Sequence, residues 1–554
     1  MRKKANCSFT QSLSLDEGVK QAPETLSVFK PASVSEVKVI VKSMANKCCD
    51  LDPIPTWLAK ECLDELAPYV TSLVNNSLDS GKVPSAFKQA LVRPLLKKPN
   101  LDKDEYKSYR PVSNLSFISK VLERVVSSRL MEHQNLQDLR EIYQSAYVPG
   151  HSTETALVRI HNDLALAVDN HGAALLVLLD LSAAFDTIDH EVLLGRLQQR
   201  YGVEGSALAW LGSYLKERKQ CIMIDSARSQ DEQLLYGVPQ GSVLGPLLFA
   251  SYVSPLGDII RSYGLHFHSY ADDTQIYVEV DPRNDHSINN AVQQVECCLA
   301  HVRMWMSQNY LKLNEDKTEI VFISTKSQIS KVSFPSVDVG DVKVKPSSLA
   351  KNLGVNFDSV LSMESYVNSV CKSCSYHLYN IARIRGYLDR KTVETVVHAL
   401  VSSKLDYCNS VLAGVSGKLL KRLQRVQNSA ARVVCQVSKR SHITPVLRSL
   451  HWLPIKKRIE YKLLLLAHKA LHGSAPKYLS CLLVKHDPKR TLRSSSQGFL
   501  DIPKTKLKSF GDKAFSANVP KLWNKLPGNL RATTSIEEFK RLLKTHLFGE
   551  AYGP

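Results

Sequence analysis

The sequence has no apolar stretch of the roughly 18 residues that a membrane-spanning helix requires. Its N-terminus, residues 1–6, also lacks the apolar segment of a secretory signal peptide. These two absences predict a protein of the nucleus or the cytoplasm that has no membrane partner. They do not indicate an oligomeric state.

The 12 cysteines show no repeated spacing of the kind that a disulfide framework has. In a reducing compartment, most of them are expected to be small buried hydrophobic residues. Cys371 and Cys374 form a single Cys-x-x-Cys, which lacks a second pair of ligands. Because the same spacing places two residues on one face of a helix, we favour a helix here over a zinc site.

Acidic residues are in deficit, with 53 Asp and Glu against 72 Lys and Arg, which gives a formal net charge of +19. Polyanion binding explains this excess, but net charge alone does not separate nucleic acid from an acidic membrane. The hydrophobic fraction of 44% and the mean hydropathy of -0.16 indicate a folded globular protein. The local arrangement of charged residues must therefore identify the partner.

Acidic residues follow two segments that have the pattern of β-strands. Residues 174–180 form an apolar run that ends in an aspartate, as a strand buried on both faces would. Two further strand-like runs, 265–270 and 274–280, flank Asp272 and Asp273, which predicts a hairpin with both carboxylates at its tip. If the first strand pairs beside this hairpin, its aspartate and the two at the tip converge.

Convergence of Asp180, Asp272 and Asp273 would bring like charges together, which is unfavourable unless something neutralises them. Hard oxygen ligands of this kind favour Mg²⁺, with Mn²⁺ as a second choice. Two such ions are what phosphoryl transfer from a nucleoside triphosphate to a 3′-hydroxyl requires. The alternative is that the two adjacent aspartates form only a solvated turn, which is the commonest use of such a pair.

A glycine-rich segment, residues 237–246, lies between the two acidic elements in the sequence. Its glycines, which include Gly237 and Gly241, allow the backbone to approach a ligand closely, and Gln240 offers a side-chain amide. Phe185 follows the first acidic strand, where a bulky ring would lie under the sugar of an incoming nucleotide. This order of elements favours phosphoryl-transfer chemistry over the solvated turn.

These elements resemble the polymerase motifs of reverse transcriptases, and the sequence is most similar to those of non-LTR (LINE-type) retrotransposons of the CR1/L2-like group. The resemblance covers nearly the whole chain. The segments that match are residues 109–115, 144–153, 180–186, 237–242, 270–273, 313–318 and 353–354. Several motifs in the family's order are far more specific than one acidic turn.

The resemblance implies a right-hand polymerase of the α+β class, in which fingers, a palm with an antiparallel sheet and helices, and a thumb precede a mainly helical basic C-terminal region. It predicts an N-terminal connector or extension (residues 1–90), fingers and palm (91–345), thumb and basic helices (346–485) and a C-terminal region (486–554). The implied activity is RNA-directed DNA polymerisation, from dNTPs to a primer 3′-hydroxyl, with an RNA template and a DNA primer or target as partners.

The resemblance also assigns roles to individual residues. Those assigned to two magnesium ions are Asp180, Leu181 (through its backbone carbonyl), Asp272 and Asp273, of which the three acids are the catalytic residues. Those assigned to the incoming nucleotide are Arg110, Phe185, Gln240 and Lys317. Those assigned to primer and template are Gln144, Gly237, Gly241 and Tyr270. Phe185 would exclude a ribose 2′-hydroxyl, and Lys317 would orient the leaving pyrophosphate unless it is simply an exposed lysine in a turn.

Lysine and arginine dominate residues 417–462, where Glu460 is the one acid. Apolar residues at helical spacing predict an amphipathic helix in the first part of this region. A charged outer face is normal for such a helix, but the shortage of acids favours contacts with the nucleic-acid backbone. The residues assigned to these contacts are Lys421, Arg422, Arg425 and Arg432. For Trp452, which precedes Leu453-Pro454, we favour burial over stacking on a base.

Intact elements of this family carry an endonuclease upstream of the polymerase, and we expect none in this sequence. No RNase H-type constellation is evident either. Autonomous insertion into a target is therefore not expected from this chain alone. Two alternatives remain: a catalytically inactive or truncated nucleic-acid-binding remnant, and a polymerase that copies RNA into RNA. The intact acids argue against the first, and the bulk of Phe185 argues against the second.

Overall fold

The computed structural model describes residues 22–47, 49–182, 185–487 and 498–553. Within these ranges the helices are α1 (Val34–Ser43), α2 (Thr56–Glu61), α3 (Leu63–Ser80), α4 (Phe117–Leu136), α5 (Thr153–His171), α6 (His190–Gln199), α7 (Gly205–Leu215), α8 (Leu244–Val253), α9 (Pro255–Ser262), α10 (Asp285–Gln308), α11 (Lys326–Ile329), α12 (Glu364–Ile384), α13 (Arg390–Val397), α14 (Ser403–Asp406), α15 (Gly417–Cys435), α16 (Ile443–Ser449), α17 (Ile455–Leu471), α18 (Lys477–Ser480), α19 (Phe515–Trp523), α20 (Gly528–Ala532) and α21 (Ile536–Tyr552). None of these helices is long and apolar enough to cross a membrane.

The strands in the same ranges are β1 (Gln89–Leu96), β2 (Tyr109–Asn114), β3 (Ala173–Leu179), β4 (Leu181–Ser182), β5 (Lys219–Ile224), β6 (Ala227–Arg228), β7 (Glu232–Gln233), β8 (His266–Tyr270), β9 (Asp273–Val280), β10 (Lys312–Leu313), β11 (Glu319–Ser324), β12 (Val337–Val339), β13 (Val342–Val344), β14 (Leu349–Asn352) and β15 (Val355–Asp358). The chain divides into two compact units, each assembled from several stretches of sequence. The first comprises residues 1–141, 181–259 and 301–314, and the second comprises 142–180, 260–300 and 315–554.

The first unit contains a sheet in which β1 lies between β2 and β5. Strand β1 pairs antiparallel with β2 and parallel with β5, and β5 also pairs antiparallel with β6 and β7. Helices α3 and α7 pack together, and Trp210 on α7 is fully buried, with its Nε1 donating to Ser77 Oγ at 3.0 Å. This unit carries the glycine-rich segment and Phe185.

The second unit contains a four-stranded antiparallel sheet in the order β11-β3-β9-β8. Strand β3 is buried along its whole length, which explains its unbroken run of apolar side chains. Helix α5 packs on β3, and a capping box of Ser152 and Thr155 fixes the first turn of that helix. Strands β8 and β9 form a hairpin, and β9 also pairs with β3. The predicted buried strand beside an acidic hairpin is therefore confirmed.

Helices from α12 onward share one hydrophobic core with the sheet of the second unit. The core includes side chains of β3 and β11 together with those of α12, α15, α17 and α21. Cys371 and Cys374 both lie on α12, so the helical interpretation of their spacing is confirmed. Trp452 is only 5% exposed, which confirms that it is a buried tryptophan.

Candidate active site

The acidic turn, residues 270–273, joins β8 to β9 in the second unit, beside the end of β3. Strands β3 and β9 pair with Leu179 opposite Thr274, so the register, continued by one residue, brings Asp180 opposite Asp273. Across the hairpin, Tyr270 pairs with Asp273. Ala271, at the turn itself, has a φ of 58°, a left-handed conformation that non-glycine residues rarely adopt. Backbone pairing thus brings the expected carboxylates to one end of the sheet.

The charges of these carboxylates act on one another. The pKa of Asp273 is raised to about 6, mainly by burial and then by the negative charges of Asp272 and Asp180. Lys317 acts in the opposite direction. The raised pKa indicates that the fold holds these acids close together, where their negative charges repel one another. A bound cation would relieve this repulsion.

Lys317 lies in a short 3-10 turn, Glu315–Lys317, that precedes β11. Its Nζ contacts Asp180 Oδ2 at 2.9 Å, while 69% of its side chain remains exposed. Lys317 therefore forms an ion pair with a carboxylate of the acidic site. Its exposed side chain is available to a negatively charged ligand that competes for it.

Gln144 is buried, and its side chain is used by the acidic turn. Gln144 Oε1 accepts the backbone N–H of Ala271 at 2.9 Å and that of Ala146 at 3.0 Å. Gln144 Nε2 donates to the carbonyl of Ala271 at 3.3 Å. Both ends of the side-chain amide therefore bond to Ala271 and hold the turn. The predicted contact of Gln144 with primer or template stays a prediction.

A buried hydrogen-bonded network supports the same hairpin. Ser145 Oγ lies 2.7 Å from His268 Nε2 and 2.8 Å from Tyr478 Oη, and Tyr478 Oη donates to Thr155 Oγ1 at 2.9 Å. Burial lowers the pKa of His268 to about 3, and the nearby charges of Arg159 and His151 act in the same direction. The imidazole is therefore neutral at physiological pH. Sequence patterns did not reveal this network, because Ser145 and Tyr478 are far apart in the chain.

Tyr147 is a second neighbour of the turn that the sequence did not single out. It is 56% exposed and has a φ of 60°. Burial of its hydroxyl raises the pKa of Tyr147, and the charge of Asp272 and the proximity of Tyr270 raise it further. Two tyrosines therefore lie near Asp272, of which only Tyr270 was predicted from the hairpin motif.

The acids fit the chemistry of a hard divalent cation, because they supply only carboxylate oxygens. Within the described ranges, no group of three or more His, Cys, Asp or Glu side chains is arranged to hold one ion. The negative charges of Asp272 and Asp180 nevertheless act on Asp273 and raise its pKa.

The glycine-rich segment is fixed by close backbone contacts in the first unit. Gly237 has a φ of 81°, and a Cβ at this position would lie 2.8 Å from the carbonyl oxygen of Phe185. Gly241 has a φ of 117°, and a Cβ there would lie 2.6 Å from the carbonyl oxygen of Ser113. Both positions therefore require glycine, and the predicted approach of a ligand to this backbone stays a prediction. Here the close neighbour is the chain itself.

Gln240 and Phe185 each have a defined neighbour in the first unit. Gln240 Nε2 donates to the carboxylate of Asp186, at 3.2 Å and 3.4 Å to its two oxygens. The ring of Phe185 stacks on Phe249 with centroids 4.7 Å apart, and its backbone carbonyl accepts the N–H of Val238 at 3.0 Å. The aromatic ring and the side-chain amide are thus held by adjoining parts of one framework.

Glu123 anchors the end of the glycine-rich segment, although no sequence motif pointed to it. Its carboxylate is 1% exposed and accepts the backbone N–H groups of Val243 at 2.7 Å and Leu244 at 3.0 Å. Tyr214 Oη also donates to it at 3.2 Å, and the positive charge of Arg218 is nearby. Glu123 therefore caps the N-terminus of α8, which begins within the glycine-rich segment.

The remaining predicted nucleotide and metal residues of the first unit lie on strands. Arg110 is an exposed residue of β2 and pairs with Leu95 of β1. Leu181 is buried in β4, where it pairs with Leu313 of β10. Their assignments stay predictions.

Helix α15 carries the basic residues that were predicted to contact the nucleic-acid backbone, and their surroundings differ. Lys418, Lys421, Arg422 and Arg425 line an open surface cavity of about 530 Å³, and none of the four forms an ion pair with an acidic residue of the described ranges. Arg432 differs, because its Nη2 donates to the carbonyl of Ser441 at 3.4 Å and its Nε is buried. The basic face therefore includes Lys418, whereas the guanidinium of Arg432 is partly committed to the protein.

Comparisons with known proteins agree with these motifs. Residues 96–357 match the family described as reverse transcriptase (RNA-dependent DNA polymerase). The chain is 27% identical over 416 residues to a "Probable RNA-directed DNA polymerase from transposon X-element" of Drosophila melanogaster, covering 74% of this chain and 44% of that protein. It is 25% identical over 345 residues to the "RNA-directed DNA polymerase from mobile element jockey" of the same organism, covering 61% of this chain and 36% of that protein.

This chain thus spans less than half the length of either relative. Among solved structures, an apo telomerase from Candida tropicalis, truncated from its C-terminal domain, matches with a TM-score of 0.34 and 12% identity, over 50% of this chain and 55% of that one. A likeness at this level is too weak to carry an argument. The chain is thus similar to the reverse transcriptase family over residues 96–357, and to RNA-directed DNA polymerases of transposons and mobile elements over more of its length.

Proposed function

We propose that this chain is an RNA-directed DNA polymerase that transfers nucleotides from dNTPs to a primer 3′-hydroxyl. The observation that carries the proposal is the acidic turn. Strand pairing brings Asp180 opposite Asp273, and Asp272 is adjacent, within the region that matches the reverse transcriptase family. Paired carboxylates at a strand end are the groups that nucleotidyl transfer requires.

In this proposal, Asp180, Asp272 and Asp273 hold two magnesium ions, with the carbonyl of Leu181 as a further ligand and Mn²⁺ as a substitute. When bound, the ions activate the attacking hydroxyl and neutralise the triphosphate. The chain's own contribution is to hold the carboxylates in place through β3, β9 and Gln144. The proposed role of Lys317 is to orient the leaving pyrophosphate, and its exposed ammonium group beside Asp180 supports this role.

The proposed nucleotide contacts come from the framework around the glycine-rich segment. Phe185, held against Phe249, is the proposed gate against a ribose 2′-hydroxyl. Gln240 and Arg110 are proposed to contact the nucleotide, while Tyr270 and the backbone at Gly237 and Gly241 contact primer and template. These roles follow from the motifs. The close backbone contacts at Gly237 and Gly241 support them, because a contact surface must be held in place.

The proposed polymerase has fingers and palm in residues 91–345 and a thumb and basic helices in 346–485, between an N-terminal extension and a C-terminal region. Its proposed partners are an RNA template and a DNA primer or target, in the nucleus or the cytoplasm. Lys418, Lys421, Arg422 and Arg425 of α15 support binding to the phosphodiester backbone. Contacts of this kind hold the nucleic acid in position and do not read its sequence.

Primer extension on an RNA template with magnesium tests the proposal. Wild-type protein is expected to incorporate dNTPs, and Asp272→Ala is expected to lose activity by about a thousandfold or more, because it removes a proposed metal ligand. Asp341→Ala, a substitution of an exposed aspartate in the turn between β12 and β13, is the matched control. The proposal fails if wild type incorporates no more than Asp272→Ala.

The choice of sugar is tested separately. Phe185→Ala is expected to admit rNTPs, because the ring that would clash with a 2′-hydroxyl is gone. Single-nucleotide incorporation of dCTP and rCTP opposite a template guanine measures this discrimination. Unchanged discrimination in a folded Phe185→Ala protein would remove the role assigned to the ring.

A further inference from the structure

Helix α12 presents a row of aromatic and basic side chains to solvent. Lys372, Tyr376, Tyr379 and Arg383 follow one another at spacings of four, three and four residues, which places them on one side of the helix over about 16 Å. Tyr387 follows in the next turn of the chain. We call these five residues the aromatic–basic row.

The tyrosines of this row are unusually exposed. Tyr376 is 65% exposed, Tyr379 is 64% exposed and Tyr387 is 90% exposed. The opposite side of α12 supplies the contacts that fold the protein, through buried residues such as Val367, Cys374, Leu378 and Ile381. Packing therefore explains the inner side of the helix and leaves the outer tyrosines without a structural role.

The charged side chains along this segment of the chain are all positive. Residues 365–388 contain no aspartate or glutamate. Within the described ranges, Lys372 forms no ion pair, and the Arg383 guanidinium lies 5.9 Å from the centroid of the Tyr379 ring. A planar cation beside an exposed ring favours an anionic ligand that also has flat apolar faces.

Helix α15 continues this positive surface, because α12 and α15 pack against each other. Burial raises the pKa of Cys371 on α12, and the positive charge of Arg422 on α15 lowers it by a smaller amount. Arg422 therefore acts on α12 from the neighbouring helix. The row and the basic face therefore belong to one positively charged part of the second unit.

We propose that the aromatic–basic row binds single-stranded nucleic acid, with unpaired bases stacked on the tyrosines and phosphates near Lys372 and Arg383. Unpaired bases offer the flat faces, and the phosphodiester backbone offers the charge that the row complements. The choice of nucleic acid as occupant rests on the proposed function. The row lies on residues that none of the catalytic assignments uses, so the two proposals can fail separately.

Binding of the full chain to fluorescent oligo-U, oligo-dT and a blunt duplex, measured by anisotropy, tests the inference. The double variant Tyr376→Ala/Tyr379→Ala is expected to bind the single strands at least ~10-fold more weakly, with a smaller loss for the duplex. Phenylalanine at both positions is expected to restore binding, because it keeps the rings. Tyr69→Ala, at a helical tyrosine that is 76% exposed, is the matched control.

The charges are tested by salt dependence. Replacing Lys372 and Arg383 by glutamine is expected to lower the slope of log affinity against log salt by roughly 1 to 2 for the single strands. The inference is overturned if the tyrosine double variant binds single strands like wild type, or loses single-strand and duplex binding equally. It is also overturned if the variant changes only self-association in light scattering, since the row would then contact a second copy.

Asp272→Ala separates this inference from the polymerase proposal. That variant is expected to bind the oligonucleotides like wild type, because the row does not contain catalytic residues. If wild type fails to extend primers but its single-strand binding depends on the tyrosines, the polymerase proposal fails and the inference stands. If wild type extends primers but the tyrosine double variant binds single strands like wild type, the polymerase proposal stands and the inference fails.

Discussion

The acidic turn and the basic face of α15 both gather charges of one sign, but the fold builds them in different ways. The acids come from separate segments, meet through strand pairing and are partly buried, so that the pKa of Asp273 rises to about 6. The cations of α15 come from successive turns of one helix and face solvent. Long-range contacts thus position the acids, whereas helical periodicity alone positions the bases.

The two sites should therefore respond differently to substitution. A partly buried cluster depends on its supporting hydrogen bonds, because a lost bond leaves a buried polar group unsatisfied. An exposed row of cations depends on ionic strength, because its interactions are screened by salt. Substitutions near the turn should therefore act on catalysis, and substitutions on the basic face should act on affinity and its salt dependence.

Among the substitutions that separate the two sites, Gln144→Ala is expected to have the largest effect, which is a loss of primer extension. It removes the acceptor of the Ala271 N–H, which costs about 1–3 kcal/mol at the turn. A cost of this size in the transition state corresponds to a loss of roughly 5- to 150-fold in single-turnover primer extension. Gln134→Ala is the matched control, since Gln134 is also buried and donates to Ser251 Oγ at 3.2 Å. If both variants lose stability equally and keep full activity, the turn does not depend on Gln144.

The elements of the site could be predicted from the sequence where the signal is local. The apolar run before Asp180 and the alternating runs around Asp272 follow from side-chain burial, and the structure places them in β3, β8 and β9. The anchoring residues could not be predicted in this way. Gln144 reaches Ala271 from a distant part of the chain, and Glu123 caps α8 from α4. Such contacts are decided by tertiary packing and leave no periodic pattern.

Tertiary packing also decides the surroundings of the cations on α15. Helical spacing predicts which residues are turned away from the core. Lys421, Arg422 and Arg425 are turned away from it, as predicted. It does not predict what lies beside the end of a helix. Arg432, in the last turn, meets the carbonyl of Ser441, which belongs to the segment that follows the helix. The partner of a long side chain therefore depends on the path of the chain outside the helix.

Replacing Lys421, Arg422 and Arg425 together by glutamine is expected to have an intermediate effect. Affinity for a primer–template duplex should fall roughly 10- to 30-fold at low salt, and the slope of log affinity against log salt should fall by roughly 2 to 3. Arg432→Gln is the matched control and should leave that slope nearly unchanged. An equal change of slope in Arg432→Gln would show that the whole helix, and not its outer face, carries the interaction.

The smallest effect is expected from pH, through the buried His268 that supports the acidic turn. Its pKa is lowered to about 3 in the folded chain, so the folded protein keeps this imidazole neutral while the unfolded chain gains a proton below about 6.5. Its contribution to stability is therefore complete above about 6.5 and is lost as the pH falls towards 3, by about 1.4 kcal/mol per unit inside that window. Urea unfolding at pH 7 and pH 5.5 measures this loss.

His268→Gln should be less stable than wild type at pH 7, because packing and the bond to Ser145 are disturbed, but its stability should fall less between pH 7 and pH 5.5. His161 contributes in the same direction in both proteins, since burial lowers its pKa to about 4, so some pH dependence should remain. The glutamine variants of the basic face should show the wild-type pH dependence, because their side chains are exposed. If His268→Gln loses stability as steeply as wild type, the framework of the turn does not depend on a neutral His268, and burial would no longer separate the two charged sites.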